Sequence, residues 1–213
     1  CGPRSTRSLG PSIARRWSDL DGAALCHVEL GRSLFDTGAS DEAVAELERA
    51  VLITAEAGDE VRHAIAAAVL GPVYMGAGRY DDAETQLQHA APLLRVHHVV
   101  FMEARALGWL ALVHRRKGRY DDACALYQES IRTLRRVGAP GLESRARADL
   151  GLIDIHLDHQ PEAEDALTEA VNLARWIGDR RAESNALRHL GLLWVIRGDL
   201  DHARERLLEA LAI

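Results

Sequence analysis

The chain has 213 residues, of which 47% are hydrophobic and only 5% aromatic, with a formal net charge of −6 and a pI near 5.9. That balance excludes a domain that grips nucleic acid through a basic surface, so no direct nucleic-acid binding is expected. No uninterrupted apolar run is long enough to cross a bilayer, so no membrane role is expected either.

Residues 1–17 combine Gly, Pro, Ser and Arg and predict a linker or tail. From residue 18 onward one column returns every forty residues: Leu30-Gly31, Leu70-Gly71, Leu110-Ala111, Leu150-Gly151 and Leu190-Gly191. Three more keep the same offset. They are Ala43, Ala83, Ala123, Ala163 and Ala203; Leu47, Leu87, Tyr127, Leu167 and Leu207; and Ala50, Ala90, Ser130, Ala170 and Ala210. Two helices approach closely only where a side chain is nearly absent, so the Gly or Ala of a first helix is expected to face the Ala columns of a second.

Each unit therefore reads as helix A, a tight turn and helix B, with the turn marked by Gly38, Gly78, Gly118, Asp158 and Gly198. Acidic pairs such as Asp41-Glu42, Asp81-Asp82 and Asp121-Asp122 open helix B, where they suit the positive end of the helix dipole. Gly58, Gly138 and Gly178 close it with a residue able to take the left-handed conformation. The predicted fold is all-α, a right-handed superhelical solenoid of about five helix-turn-helix units over residues 18–58, 59–98, 99–138, 139–178 and 179–213, the last one truncated. A chain that opens on Cys1 and stops at Ile213, inside the fifth helix B, is expected to be a piece of a larger protein.

The run Asn185-Ala186-Leu187-Arg188-His189-Leu190-Gly191, followed by Gly198 and Ala203, resembles the tetratricopeptide repeat (TPR) family, and the resemblance covers roughly residues 18–213. The usual unit is about 34 residues, so a forty-residue period implies longer helices. HEAT and armadillo repeats share the longer period, about 40–47 residues, but the small-residue columns favour TPR. The sequence departs from the pattern at Ala111, Asp158 and Ser130 by small substitutions only.

With 25 Arg against one Lys, Lys117, and the turn Gly178-Asp179-Arg180-Arg181, the chain further resembles the C-terminal TPR regions of actinobacterial transcription regulators. That resemblance implies a cytoplasmic, non-catalytic module that regulates by docking. A freestanding assembly scaffold or adaptor and a small-molecule sensor are the alternatives.

Cys1, Cys26 and Cys124 form no CxxC pair and read as buried thiols in a reducing compartment. The pairs His97-His98 and His156 with His159 lack the three or four convergent ligands of a metal site, so they read as solvated and no metal or cofactor is expected. HExxH, GxxxxGK[ST] and GxSxG are missing from the sequence, and no enzyme is expected.

In TPR proteins the inner groove is lined by the A helices, and the resemblance places there Arg105, Leu112, Arg115, Arg116, Arg145, Leu152, Asn185, Arg188 and Leu192. Arginines beside a Leu112, Leu152, Leu192 ladder suit an acidic, amphipathic protein or peptide partner, because guanidinium forks grip carboxylates while leucines bury apolar side chains. The competing reading pairs these arginines with the chain's own Glu103, Glu143 or Asp149. The second unit is irregular: Pro72 and Pro92 fall inside its helices, and His98 stands where other units have Gly. The apolar run Val99, Val100, Phe101 and Met102 follows, an expected docking edge for a partner or a homodimer if it does not simply fill the space between units.

Overall fold

In the computed structural model the backbone is described over residues 11–213 and side chains from residue 22, and every element among them is helical. The helices are α1 (Pro11–Asp36), α2 (Ser40–Glu56), α3 (Glu60–Gly76), α4 (Tyr80–Val96), α5 (Val100–Arg116), α6 (Tyr120–Arg136), α7 (Pro140–His156), α8 (Gln160–Ile177), α9 (Arg180–Ile196) and α10 (Leu200–Leu211). Most of the expected N-terminal linker, and Cys1 with it, lies outside the described residues.

The turns follow from one backbone device. At each of them an N–H just past the helix end bonds back five residues, from Ala39 to Leu34 at the first and Asp199 to Trp194 at the last, at 2.8–3.2 Å. This hydrogen bond requires a left-handed residue, and the Gly columns supply it, as at Gly38 (φ 88°) and Gly178 (φ 71°). Where Gly is missing the geometry persists: His98 (φ 57°) and Asp158 (φ 60°) take the same conformation, at a cost of about 1 kcal/mol for a side chain there. Asp59, Asp179 and Asp199 then cap the following helix, each accepting a hydrogen bond from the N–H three residues on, at 2.9–3.1 Å.

The chain forms two compact units, one up to Leu93 and one from Leu94. In the first, α1 packs on α2 and α2 on α3. A Cβ placed on Gly31 would lie 2.6 Å from Leu47 Cγ, and one on Gly71 would lie 2.6 Å from Leu87 Cγ, so both glycines are contact points rather than hinges. Gly76 makes room for the Phe35 ring in the same way, 2.5 Å from its ideal Cβ. Helices α3 and α4 run on through Pro72 and Pro92. Tyr74 donates a 2.7 Å hydrogen bond to Glu48, and the Arg79 guanidinium lies 4.2 Å from the Tyr74 ring centroid.

In the second unit α5, α7 and α9 are A helices and α6, α8 and α10 their B partners. Gly151 faces Leu167 and Gly191 faces Leu207, each at 2.6 Å from an ideal Cβ to Cγ. Ala111 stands in for Gly where the partner is the planar ring of Tyr127, in one core with Ala104, Ala123 and Ile131. Ser130, the exception in its Ala column, turns out to be compensated. It donates to the Ala104 carbonyl at 2.8 Å, whereas Ser144 donates to Ala170 at 2.8 Å and Ser184 to Ala210 at 2.9 Å. Positions 104/130, 144/170 and 184/210 are equivalent, so one serine ties each helix pair and only its side of the pair changes.

A second periodic device recurs along the unit that begins at Leu94. Arg95 binds Glu103 at 2.7 Å and also Glu129; Arg135 binds Glu143 at 3.1 Å and Glu169 at 3.8 Å; Arg175 binds Glu183 at 2.8 Å and also Glu209. Glu103, Glu143 and Glu183 are buried, and each would be costly to bury without its arginine. The expectation of buried thiols fails for Cys26, which is exposed, and Cys124 is only half-buried. Burial and the neighbouring Asp154 push the Cys124 thiol up to about 12, which keeps it protonated and unreactive.

Candidate interaction surface

Helix α7 lies against both α5 and α9, so the forty-residue period becomes rows across one face of the second unit. One row is Arg105, Arg145 and Asn185; another is Leu112, Leu152 and Leu192, the first two half-buried and the third exposed. This is the face on which the sequence placed its groove.

Two concavities open on these residues. The first, about 230 Å³, is floored by Gly108, Trp109, Leu112, Tyr127, Leu134 and Leu142 and edged by Arg105, Arg145 and Asp149. Its missing side chain at Gly108 leaves space above Ser130, whose hydroxyl lies 3.5 Å from an ideal Cβ there. Part of its polar wall is paired within the chain, although Arg115 Nε is buried without a hydrogen-bond partner. Tyr127 hydrogen-bonds with Asp149, and Arg115 approaches the same carboxylate at 3.7 Å. Burial raises the Asp149 pKa against the pull of Arg115, and burial followed by the Asp149 charge holds the Tyr127 hydroxyl well above its ordinary range.

The second concavity, about 790 Å³, is lined by Arg145, Arg180, Arg181, Ser184, Asn185 and Arg188, with Ala182 and Ile213 as its apolar part. Of these arginines, Arg145 is paired with Asp179, whose carboxylate accepts from Ala182 N–H at 3.0 Å and from Arg145 at 3.0 Å, and these bonds hold its pKa below the ordinary carboxylate value. Arg188 meets neutral partners. It donates to Asn185 Oδ1 at 2.7 Å and approaches His189 Nε2 at 3.2 Å, while His189 Nδ1 faces the Ala148 carbonyl at 3.2 Å. The carbonyl can only accept, so His189 carries its proton on Nδ1 and receives one from Arg188 on Nε2. Burial, reinforced by the Arg188 charge, lowers the imidazole pKa from 6.5 to about 4, so it is neutral at pH 7 and cancels none of that charge.

The nine groove residues thus separate. Arg105, Leu112 and Arg145 share the first concavity; Arg145, Asn185 and Arg188 share the second; Leu152 and Leu192 extend the apolar row. Arg115 is half-buried and engaged with Asp149, and Arg116 is exposed. Glu103 and Glu143, weighed as partners for these arginines, are held instead by Arg95 and by Arg135 and Arg147. On the proposed edge Phe101 is exposed and Val99, Val100 and Met102 are half-buried, with Arg105 6.0 Å from the Phe101 ring centroid and 3.9 Å from Met102 Sδ.

Arg180 and Arg181, which sequence reasoning left out, line the second concavity. The signal was spacing: 181, 185 and 188, like 180, 184 and 188, share one side of a helix. Among the described residues no group of three or more His, Cys, Asp or Glu is placed to hold a metal ion, and no helix is long and apolar enough to cross a membrane.

The class this geometry defines is a helical-repeat protein with TPR packing. Tetratricopeptide-repeat family models match residues 24–49 and 102–175, so the chain carries TPR repeats in both compact units. No curated protein sequence matches it. Among solved structures it is similar to BtubC (BKLC) from P. vanneervenii, with a TM-score of 0.76 and 15% identity over 95% of this chain and 91% of that one. It is also similar to a signal transduction ATPase with numerous domains (STAND) that has a tetratricopeptide repeat sensor, from Pyrococcus horikoshii, with a TM-score of 0.78 and 16% identity over 94% of this chain and 31% of that one. A third match is aspartyl phosphate phosphatase F from Bacillus subtilis, with a TM-score of 0.71 and 13% identity over 91% of this chain and 60% of that one. At these identities the likeness establishes the fold alone.

Proposed function

We propose that the chain is a non-catalytic protein- or peptide-binding module, the interaction region of a larger bacterial transcription regulator acting in the cytoplasm. The observation that carries the binding role is the composition of the α5, α7, α9 face. Guanidiniums at 105, 145 and 188 stand beside a Leu112, Leu152, Leu192 row, and Arg188 meets no carboxylate of its own chain among the described residues. A partner that is acidic and amphipathic would answer both components. The regulator context draws its support from the Arg-rich repeat style and from the likeness to a structure in which such repeats form the sensor of a signalling ATPase. The roughly 230 Å³ of the first concavity suits a side chain of a partner better than a free metabolite, because small-molecule sites usually measure about 300–1,000 Å³.

The test is capture from a lysate of the source organism with the chain and with an Arg105→Glu, Arg145→Glu, Arg188→Glu variant. A protein retained by the first and lost by the second is expected. Equal capture by both would refute the assignment of this face and turn attention to the edge at Phe101.

A further inference from the structure

Helix α7 also borders a third concavity, about 420 Å³, which α6 and α8 complete. Arg147, Leu150 and Asp154 fall roughly half a turn round the helix from Arg145 and Asp149, so this space is separate from the α5, α7, α9 face. Its charge is one-sided: Asp121, Asp154, Glu162, Asp165 and Glu169 border it against Arg147 and His159. Arg147 is already engaged. It binds Glu143 at 2.9 Å and also Glu169, which Arg135 approaches at 3.8 Å. Among the described residues no hydrogen bond or ion pair joins the Asp121, Glu162 or Asp165 carboxylate to a cationic side chain.

The buried member is Asp154, only 7% exposed. Both of its side-chain contacts fall on Oδ1: the Cys124 thiol, a weak and uncharged donor, at 3.8 Å, and His159 Nδ1 at 3.7 Å, beyond hydrogen-bond reach. Its Oδ2 receives no donor among the described residues, although the side chain lines the cavity. Burial raises the Asp154 pKa, His159 and the thiol oppose that rise, and the Glu162 charge adds to it.

The forty-residue period shows what is missing here. Positions 114, 154 and 194 on the A helices correspond, as do 122, 162 and 202 on the B helices. In the third repeat His114 faces Asp122 at 3.7 Å, and in the fifth Trp194 stacks on His202 with ring centroids 5.0 Å apart. In the fourth repeat two carboxylates, Asp154 and Glu162, hold these positions, and a cation between them would turn repulsion into attraction. The acids are not grouped to hold a metal ion. A space of about 420 Å³ falls within the range of about 300–1,000 Å³ usual for small organic molecules, and Leu150, Leu157 and Ala166 give it an apolar wall.

We propose that this concavity binds an aliphatic diamine or polyamine. One ammonium group is held by Asp154 and Glu162, the methylene chain lies on Leu150, Leu157 and Ala166, and a second ammonium group is met by Asp121 or Asp165. The site is independent of the α5, α7, α9 face and of any partner docked there.

Isothermal titration calorimetry at constant ionic strength tests it with putrescine, spermidine, n-butylamine and magnesium chloride. The unaltered chain binds putrescine and spermidine with a Kd below about 1 mM and n-butylamine on the order of 10-fold more weakly, and magnesium gives no binding heat. Asp154→Asn weakens both polyamines on the order of 10-fold or more, while its melting temperature without ligand stays level or rises, because a poorly compensated buried charge is gone. Glu162→Gln, at an exposed position, weakens them similarly with an unchanged melt, so the test does not depend on the buried site tolerating substitution. An Asp41→Asn, Glu42→Gln control, exposed on α2, binds as the unaltered chain does.

The site is overturned by the lack of binding of both polyamines at about 1 mM, by undiminished binding in either cavity variant, or by equal loss in the α2 control. Magnesium binding as tight as that of spermidine would reduce the cavity to a generally acidic surface and overturn it too. Equal affinity for n-butylamine and putrescine would overturn the two-headed ligand.

Discussion

Gly151→Ala should destabilise the second unit although alanine is the better helix former. The new Cβ would sit 2.6 Å from Leu167 Cγ, 3.0 Å from its Cδ2 and 3.2 Å from the Ala163 carbonyl oxygen. Leu167 is fully buried in a core with Ala148, Ala170, Val171 and Leu187, so it has no free direction in which to turn, and the Ala163 oxygen belongs to the backbone of α8. Overpacking of this kind costs about 1–3 kcal/mol, while replacing a helical Gly by Ala returns about 1 kcal/mol. The net is a loss of up to about 2 kcal/mol, or a fall of up to roughly 8 °C in melting temperature for a chain of this size.

Gly108→Ala is the matched comparison. Its Cβ would meet only Ser130 Oγ, at an ordinary 3.5 Å, so the propensity gain survives and stability should rise by up to about 1 kcal/mol. Urea titration followed by far-UV circular dichroism measures both, and Leu167→Ala completes the cycle. In that background the obstruction is gone and Gly151→Ala should become neutral or favourable. If Gly151→Ala were as stabilising as Gly108→Ala, the close-approach reading of the Gly column would be wrong.

Ser130→Ala should cost about 1 kcal/mol through the lost bond to Ala104, and adding Ala104→Ser should restore it, because units four and five place the serine on that side; a denaturation midpoint that stays low in the double variant would contradict this. His98→Gly should raise stability by about 1 kcal/mol, since it relieves a left-handed side chain (φ 57°) with no change of turn, and the same titration checks it. His189 binds a proton more readily in the unfolded chain, near 6.5, than in the folded one, near 4, so its neutral form is harmless above pH 6.5. As pH falls from 6.5 toward 4 it should withdraw up to roughly 3 kcal/mol of stability, and the pH profile of the melting temperature should flatten over that window in His189→Gln. Arg188→Glu, at an exposed position, should leave the melting temperature within about 2 °C of the unaltered chain while abolishing partner capture.

Much of this fold was legible because each structural device repeats. The Leu-Gly and Ala columns announced the helix pairs, and the turn glycines marked where the backbone must go left-handed. What escaped was reciprocity. Ser130 looked like a departure from its own column, and only the helix pairing shows that Ala104 is the other half of the same exchange. The Arg95, Arg135, Arg175 series and its glutamates were also periodic in the sequence, but charged residues on helices have many potential partners, and the pairing is fixed only once the fold brings positions 8 and 34 residues apart within reach of one guanidinium. His98, which stands in a Gly column of the irregular second repeat, adopts the left-handed conformation of its Gly counterparts, and the backbone bond from Val99 N–H to Leu94 is retained at 2.9 Å. At the candidate site, the arginine rows were visible, but which guanidiniums the protein neutralises depended on Asp149 and Asp179, whose reach no spacing discloses.

The central claim is that a partner docks on the A helices of the second unit, and crosslinking by position tests it most directly. A photoreactive benzoylphenylalanine at Leu152, half-buried on α7, and another at Gln128, exposed on α6, differ in face and not in unit. In source lysate the Leu152 probe is expected to yield a discrete covalent adduct and the Gln128 probe none. An adduct formed equally from both positions, or from Gln128 alone, would contradict the account.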